Sequence, residues 1–234
     1  MEYESDPGHM ERNETHPRSP VLRHNCAVAY GETPVFLFID REIFVQTTRL
    51  TLICHARTVA QKLARFPTDE PLEMDGHSAK GSRSSRYKGT PRLMCGPELR
   101  TRQTAELFGD TVEVVEALRD CDFGRWSGVR INELQQMEPE LLQSWLVDSK
   151  SAPHGGESVE QVAERVAAWL KTLQATPGHV LAVTHPFVIR VALTHVLQSP
   201  TFNLIDVEPL SVIELRFNGC WRLRMPGTEL EEAH

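Results

Sequence analysis

Two histidines in this chain each follow a short apolar segment. His55 comes directly after Leu-Thr-Leu-Ile-Cys, and His185 comes after His-Val-Leu-Ala-Val-Thr. A neutral imidazole can attack phosphorus in line and form a covalent phosphohistidine, and a second imidazole can donate to the phosphoryl oxygens. Arg100 offers a fork-shaped cation for two such oxygens, and Asp120 offers a carboxyl that can give and take back a proton. These four side chains would supply what phosphoryl transfer needs if the fold brings them together.

The predicted fold gives a reason to expect that convergence. The segments 50–54, 92–95 and 179–184 are short and apolar, and a helix-opening pattern follows each of them. Strands that alternate with helices indicate an α/β fold, a three-layer αβα sandwich with a mostly parallel central sheet. Ligands in such sheets bind at the carboxyl ends of the strands, which is where both histidines and the arginine lie.

Further signals mark where individual elements begin and end. Pro97 is expected at the first position of a helix that stops near Gly109. A capping box that begins at Ser158 opens a long amphipathic helix. The pair Asn218-Gly219 predicts a tight hairpin turn near the end of the chain.

Five segments resemble, in order, the signatures of the histidine phosphatase superfamily, the phosphoglycerate mutase-like proteins. They occur between residues 50 and 198, so the resemblance covers most of the chain. One such segment would be weak evidence, but five in the family's order are strong evidence. The segments are Leu-Ile-Cys-His-Ala-Arg-Thr (52–58), Gly-Pro-Glu-Leu-Arg-Thr-Arg-Gln-Thr-Ala (96–105), Leu-Arg-Asp-Cys-Asp-Phe-Gly-Arg-Trp-Ser-Gly (118–128), Gly-Gly-Glu-Ser (155–158) and Val-Thr-His (183–185).

The resemblance implies a role for each matched residue. It implies that His55 is the nucleophile, that Asp120 is the acid and base, and that His185 completes the catalytic set. Arg100 and Gln61 would contact the phosphate. The implied activity is hydrolysis of a phosphomonoester of a small phosphorylated metabolite, with no metal and no cofactor.

Several signature positions depart from the family pattern. The arginine that normally precedes the nucleophile is Cys54, and the loss of one charged donor from a transition-state pocket costs about 10²–10³ in rate. Ala56 and Pro186 replace the glycines that usually follow the two histidines, and Gly96 replaces a residue that is often small and polar. Arg57 is a cation at a position that is often acidic, and we expect it to replace part of the lost charge and bind phosphate.

These departures leave a second reading open. The chain can be a catalytically weak or inactive family member that binds a phosphorylated ligand or a partner protein, and Cys54 favours that reading. A mutase is less favoured, since only 19 residues separate Arg100 from Asp120, a spacing that suits the compact phosphatase branch.

Composition excludes other classes of protein. The formal charge of −7 argues against a nucleic-acid binder, and no apolar run approaches the length that spans a bilayer. Five scattered cysteines indicate reduced thiols in a cytoplasmic protein. The sequence contains no pair of histidines at helical spacing with a nearby acid, so a metal site is not predicted. The oligomeric state stays open.

The chain is predicted to have three parts. Residues 1–47 form a partly disordered N-terminal extension that includes an apolar stretch at 34–46, residues 48–226 form the histidine phosphatase-like domain, and residues 227–234 form a tail. The sequence Arg-His at 23–24 resembles the signature, but no strand pattern precedes it and no helix pattern follows it. We therefore do not assign the nucleophile to this segment.

Deletion of residues 1–47 tests this division. We expect the shortened chain to melt within about 3 °C of the full chain, the shift that about 1 kcal/mol produces at this size. Differential scanning calorimetry of both forms measures the difference. An insoluble product, or a much larger fall in melting temperature, would show that the extension belongs to the core.

Overall fold

A six-stranded mixed sheet runs through the residues that the structure, a computed structural model, describes, namely 47–73, 91–199 and 202–225. The strand order is β3-β2-β4-β1-β5-β6. The three pairs among the first four strands of this order are parallel, whereas β5 pairs antiparallel with both β1 and β6. The predicted α/β class with a mostly parallel sheet is confirmed. The strands are β1 (Thr48–Cys54), β2 (Arg92–Cys95), β3 (Glu113–Val114), β4 (Gly178–Thr184), β5 (Val212–Phe217) and β6 (Trp221–Arg224).

Helices cover both faces of this sheet. Leu50 and Leu52 of β1 pack into one apolar cluster with α5 and α6, while Ile53 packs into a second cluster with Ala105 of α2. Side chains alternate across a strand, so neighbouring residues of β1 serve opposite layers. The helices are α1 (Val59–Lys62), α2 (Leu99–Ala105), α3 (Ile131–Met137), α4 (Pro139–Val147), α5 (Val159–Ala175) and α6 (Pro186–Leu197).

The pairing of β1 with β4 aligns the two histidines. Cys54 lies opposite Thr184 in the parallel register, so the two strands end at the same level. The His55 N–H donates to the Thr184 carbonyl oxygen at 2.9 Å, which continues the ladder one residue beyond the strands. His55 and His185 therefore leave the same edge of the sheet side by side.

Most predicted boundaries hold, with one correction. The capping boxes at Thr58 and Ser158 are both formed. The helix expected to open at Pro97 begins instead at Leu99, because Glu98 keeps an extended backbone (φ −70°, ψ 151°), and it ends at Ala105 rather than near Gly109. The apolar stretch at 34–46, all of the predicted extension 1–47 except residue 47, and the tail at 227–234 lie outside the described residues.

No helix within the described ranges combines the length and the apolar character that a bilayer span requires.

Candidate functional site

His55 is a buried and neutral imidazole. Its Nδ1 lies 2.7 Å from the carbonyl oxygen of Ala56. A carbonyl only accepts, so Nδ1 carries the proton and the lone pair is left on Nε2. Burial lowers the pKa of His55 to about 3. At neutral pH this ring is therefore in the form that can act as a nucleophile.

Arg100 brings three parts of the chain to the same place. Its side chain is 2% exposed, and each nitrogen of its guanidinium donates one hydrogen bond. Nη2 donates to Asp120 Oδ2 at 2.7 Å, Nη1 to the Thr68 carbonyl at 2.8 Å and Nε to His185 Nδ1 at 3.2 Å. Asp120 Oδ2 also lies 3.3 Å from His185 Nδ1. The structure thus brings together Arg100, Asp120 and His185.

His185 lies beside His55 and contacts a half-buried carboxylate. Guanidinium nitrogens can only donate, so Nδ1 accepts from Arg100 and the ring proton lies on Nε2. Nε2 donates to Glu98 Oε2 at 2.8 Å, while the other Glu98 oxygen accepts the Asp120 N–H at 2.8 Å. The ring centroids of His185 and His55 are 5.3 Å apart. Glu98 therefore fixes the ring nitrogen that His185 presents to the site.

The Glu98 carboxylate is held in its charged form. Burial alone would raise its pKa, but the hydrogen bonds from His185 and from the Asp120 N–H lower the pKa of Glu98 to about 2.

Gly96 provides the room for this contact. A Cβ atom at that position would lie 2.8 Å from Glu98 Oε2, 2.8 Å from the Leu118 carbonyl oxygen and 3.2 Å from His185 Nε2. All three distances are shorter than ordinary van der Waals contact. Where the family often has a small polar residue, this chain has glycine, and the carboxylate of Glu98 contacts the histidine.

The loop that carries Asp120 is fixed by contacts with distant segments. Thr184 Oγ1 donates to the Leu118 carbonyl at 2.8 Å, and Arg165 Nη2 donates to the Asp120 carbonyl at 2.8 Å. Glu157, from the Gly-Glu-Ser segment, accepts from the Asp122 N–H and pairs with Arg165. The Gly-Glu-Ser segment therefore holds the loop of Asp120 in place through hydrogen bonds and an ion pair.

The second signature segment also supports the nucleophile. Thr104 Oγ1 accepts the Ala56 N–H at 2.9 Å and donates to the Arg100 carbonyl at 2.7 Å. One buried hydroxyl thus ties the chain just after His55 to the helix that carries Arg100.

Cys54 lies at the signature position as a buried, neutral thiol. It is fully buried at the end of β1. Burial, with the negative charge of Asp120, raises its pKa to about 12 against the opposing charge of Arg190. Arg190 on α6 lines the same cavity as His55, and its Nε is buried without a hydrogen-bond partner among the described residues. A cation from another element is therefore available at a site that lacks the signature arginine.

Arg57 departs from our expectation. It is exposed and does not line the cavity of His55, because the chain turns outward after the buried Ala56. It lines a separate cavity, together with Lys62 and Glu208. Gln61 lines both cavities, and its Oε1 accepts the Thr58 N–H in the capping box.

The cavity at this edge of the sheet has a volume of about 350 Å³. His55, Arg100 and Asp120 form part of its wall, and most of the remaining wall is apolar. The residues that line it are His55, Thr58, Ala60, Gln61, Arg65, Phe66, Pro67, Arg100, Asp120, Phe123, Ile131, Gln135, Leu142, Trp145, Leu146, Pro186, Phe187 and Arg190.

Comparison with known proteins assigns the class. Residues 50–225 match the histidine phosphatase superfamily (branch 1), and the chain belongs to this family. An acid phosphatase of Mycobacterium tuberculosis is 31% identical over 165 residues, which is 67% of this chain and 79% of that protein.

The chain is also similar, at lower identity, to another mycobacterial protein and to a solved phosphatase structure. A bifunctional protein of M. tuberculosis is 28% identical over 193 residues, which cover 76% of this chain and 53% of that protein. The fold is shared with the mycobacterial glucosyl-3-phosphoglycerate phosphatase in complex with VO3, at a TM-score of 0.67 and 24% identity, over 76% of this chain and 97% of that one.

Sequence reasoning missed Glu98 and Arg190. Glu98 lies two residues before Arg100 and two residues after Gly96, and the departure at Gly96 was the available signal. Arg190 follows His185 by five residues on α6, which begins at the end of β4. Its position at the cavity could be predicted only with knowledge of how α6 packs.

The buried His55 predicts an acid-dependent stability difference. The unfolded chain takes up a proton near pH 6.5 that the folded imidazole does not take up until about pH 3. Stability is therefore lost as pH falls through this window, by roughly 1 kcal/mol per pH unit. Urea unfolding of wild type and His55→Gln at several pH values should give curves that converge toward low pH, with His195→Gln as control. Parallel curves for wild type and His55→Gln would contradict the buried neutral ring.

The contact of Glu98 predicts the tautomer of His185. Glutamine offers one acceptor where Glu98 uses two, so Glu98→Gln leaves an amide N–H against either the Asp120 N–H or His185 Nε2. Long-range proton–nitrogen NMR should show His185 protonated at Nε2 in wild type and altered in Glu98→Gln. Glu106→Gln, an exposed carboxylate on the turn after α2, should leave the signal unchanged. An unchanged signal in Glu98→Gln would remove this role.

Proposed function

We propose that this protein is a metal-independent phosphomonoester hydrolase that works through a phosphohistidine on His55. The observation that carries the proposal is the neutral His55 ring, whose protonated Nδ1 is bound to the Ala56 carbonyl, in one cavity with Arg100 and Asp120. The acid phosphatase among its relatives supports the same reaction class.

In the first step, His55 Nε2 forms a bond to phosphorus as the bond from phosphorus to the alcohol oxygen breaks. The substrate's phosphate group passes a proton to the Asp120 carboxylate as it displaces that carboxylate from Arg100, and Asp120 gives this proton to the departing oxygen. In the second step, Asp120 takes a proton from water, whose oxygen attacks phosphorus and breaks the phosphorus–nitrogen bond. Inorganic phosphate leaves, and His55 is neutral again.

Binding of the phosphoryl group changes the partners of Arg100. In the structure Asp120 accepts from Arg100 Nη2, and an oxygen of the substrate takes over that donor. Asp120 is thereby released to face the alcohol oxygen. His185 Nδ1 lies beside the same atoms and, when the ring is protonated, donates to a second oxygen.

Arg190 supplies positive charge where the signature arginine is missing. Its cavity-lining position and its unpartnered Nε support this assignment. Gln61, which also lines the cavity, contributes its amide nitrogen to the bound phosphate. Arg57 receives no such role, since its side chain lies outside this cavity.

The substrate is a small phosphorylated metabolite. One protein that shares this fold, a phosphoserine phosphatase mutant of Entamoeba histolytica in complex with phosphoserine, holds a ligand of that size, at a TM-score of 0.68 and 22% identity.

A second function stands beside this one because of Cys54. A site without the signature arginine, in which Asp120 already neutralises Arg100, can bind a phosphorylated ligand or partner without hydrolysing it. Retention of vanadate binding with no turnover would identify this non-catalytic member.

Hydrolysis of p-nitrophenyl phosphate by wild type, His55→Ala and His195→Ala tests the proposal. We expect His55→Ala to lower kcat by more than about 10³-fold, because loss of a covalent nucleophile leaves only binding and electrostatic stabilisation. His195 lies on the last turn of α6 and does not line the cavity, so His195→Ala should retain activity. Equal turnover in wild type and His55→Ala would refute the mechanism.

A further inference from the structure

The cavity that holds His55 is apolar over most of the wall beyond the phosphoryl-binding side chains. The rings of Phe66, Phe123, Trp145 and Phe187 contribute to it, together with aliphatic side chains from α3 and α4. We infer that the substrate is a phosphomonoester of an apolar alcohol, whose hydrocarbon part occupies this wall. The inference rests on the proposed function, because it names the leaving group of the same site.

The ring positions form a continuous apolar surface. The centroids of Phe66 and Phe123 are 4.8 Å apart, those of Phe123 and Phe187 are 5.8 Å apart, and Trp145 stacks on Phe187 at 6.2 Å. Phe66, Phe123 and Phe187 are also buried members of the main core cluster. Rings that pack against one another in this way form a preorganised wall rather than mobile surface groups.

The wall offers few polar groups to the hydroxyl groups of a leaving group. Arg65 is paired with Glu70, and the Thr58 side chain belongs to the capping box of α1. His55, Arg100, Asp120, Arg190 and Gln61 are assigned above to the phosphoryl group and its proton transfers. This leaves the exposed Gln135 and the Trp145 Nε1, a buried donor with no hydrogen-bond partner among the described residues. A polyhydroxylated leaving group would therefore lose more hydrogen bonds to water at the aromatic wall than these two side chains can replace.

Aliphatic residues complete the wall from the helical side. Ile131 of α3 and Leu142 and Leu146 of α4 line the cavity, and Ile131 and Leu146 are 40% and 43% exposed. Their exposed surface would be covered by a hydrocarbon ligand, with a gain in free energy proportional to the apolar area removed from water.

Binding of n-alkylphosphonates to the full chain tests this preference without requiring turnover. Ethyl-, butyl- and hexylphosphonate share one head group, so differences between their calorimetric Kd values report the contribution of the alkyl group alone. We expect affinity to rise about threefold per methylene group. Butylphosphonate should also bind at least tenfold tighter than 3-hydroxypropylphosphonate, which has the same number of non-hydrogen atoms. Equal affinities across the series, or tighter binding of the hydroxyl compound, would overturn the inference.

Two leucines on α4 provide a matched pair of variants. Leu146 lines the cavity and Leu141, which is 41% exposed, does not. Leu146→Gln should flatten the dependence on chain length, whereas Leu141→Gln should preserve it. Equal slopes in both variants would place the hydrocarbon elsewhere and overturn the assignment.

Turnover of the matching n-alkyl phosphates separates this inference from the proposed function. A chain-length slope in phosphonate binding without any hydrolysis would support the apolar site and refute the phosphatase. Hydrolysis with rates and affinities independent of chain length would support the phosphatase and refute the apolar leaving group.

Discussion

The buried guanidinium of Arg100 determines how the side chains around it in this site are arranged. Arg100 is 2% exposed, and a charge removed from water to that extent must be paired and hydrogen-bonded. In the structure Asp120 pairs with this charge, and Thr68 and His185 accept further hydrogen bonds from the guanidinium. In the proposed mechanism a phosphoryl oxygen takes over the Nη2 donor, and the atom it replaces belongs to the carboxylate proposed to transfer the proton. Substrate binding and release of the acid are one event in that mechanism.

The neighbouring residues show how the chain adapts a family site to its own substitutions. Loss of the signature arginine at Cys54 removes a cation, and Arg190 brings one from α6 to the same cavity. Gly96 removes a small polar side chain, and the Glu98 carboxylate then contacts His185 through the space that the glycine leaves. The substitutions at Cys54 and Gly96 are thus each accompanied by a charged side chain from another position that lies at the site.

The sequence predicted the alternation of strands and helices, because buried strands and capping boxes are local features. It also predicted which residues would meet, since His55, Arg100 and His185 each follow a strand of one sheet. Glu98 could not be predicted in the same way, because its contact depends on how closely the Leu118 carbonyl approaches Gly96. Arg57 was expected at the phosphate, yet its direction depends on the path of the chain after the sheet, which turns it outward.

The convergence of these groups on one anion is tested most directly by a crystal structure of the protein with vanadate. The account predicts vanadium bonded to His55 Nε2, with Arg100 donating to its oxygens, the protonated His185 ring donating from Nδ1, and Asp120 detached from Arg100 Nη2. Vanadate bound away from His55, or bound while Asp120 still accepts from Arg100, would contradict it.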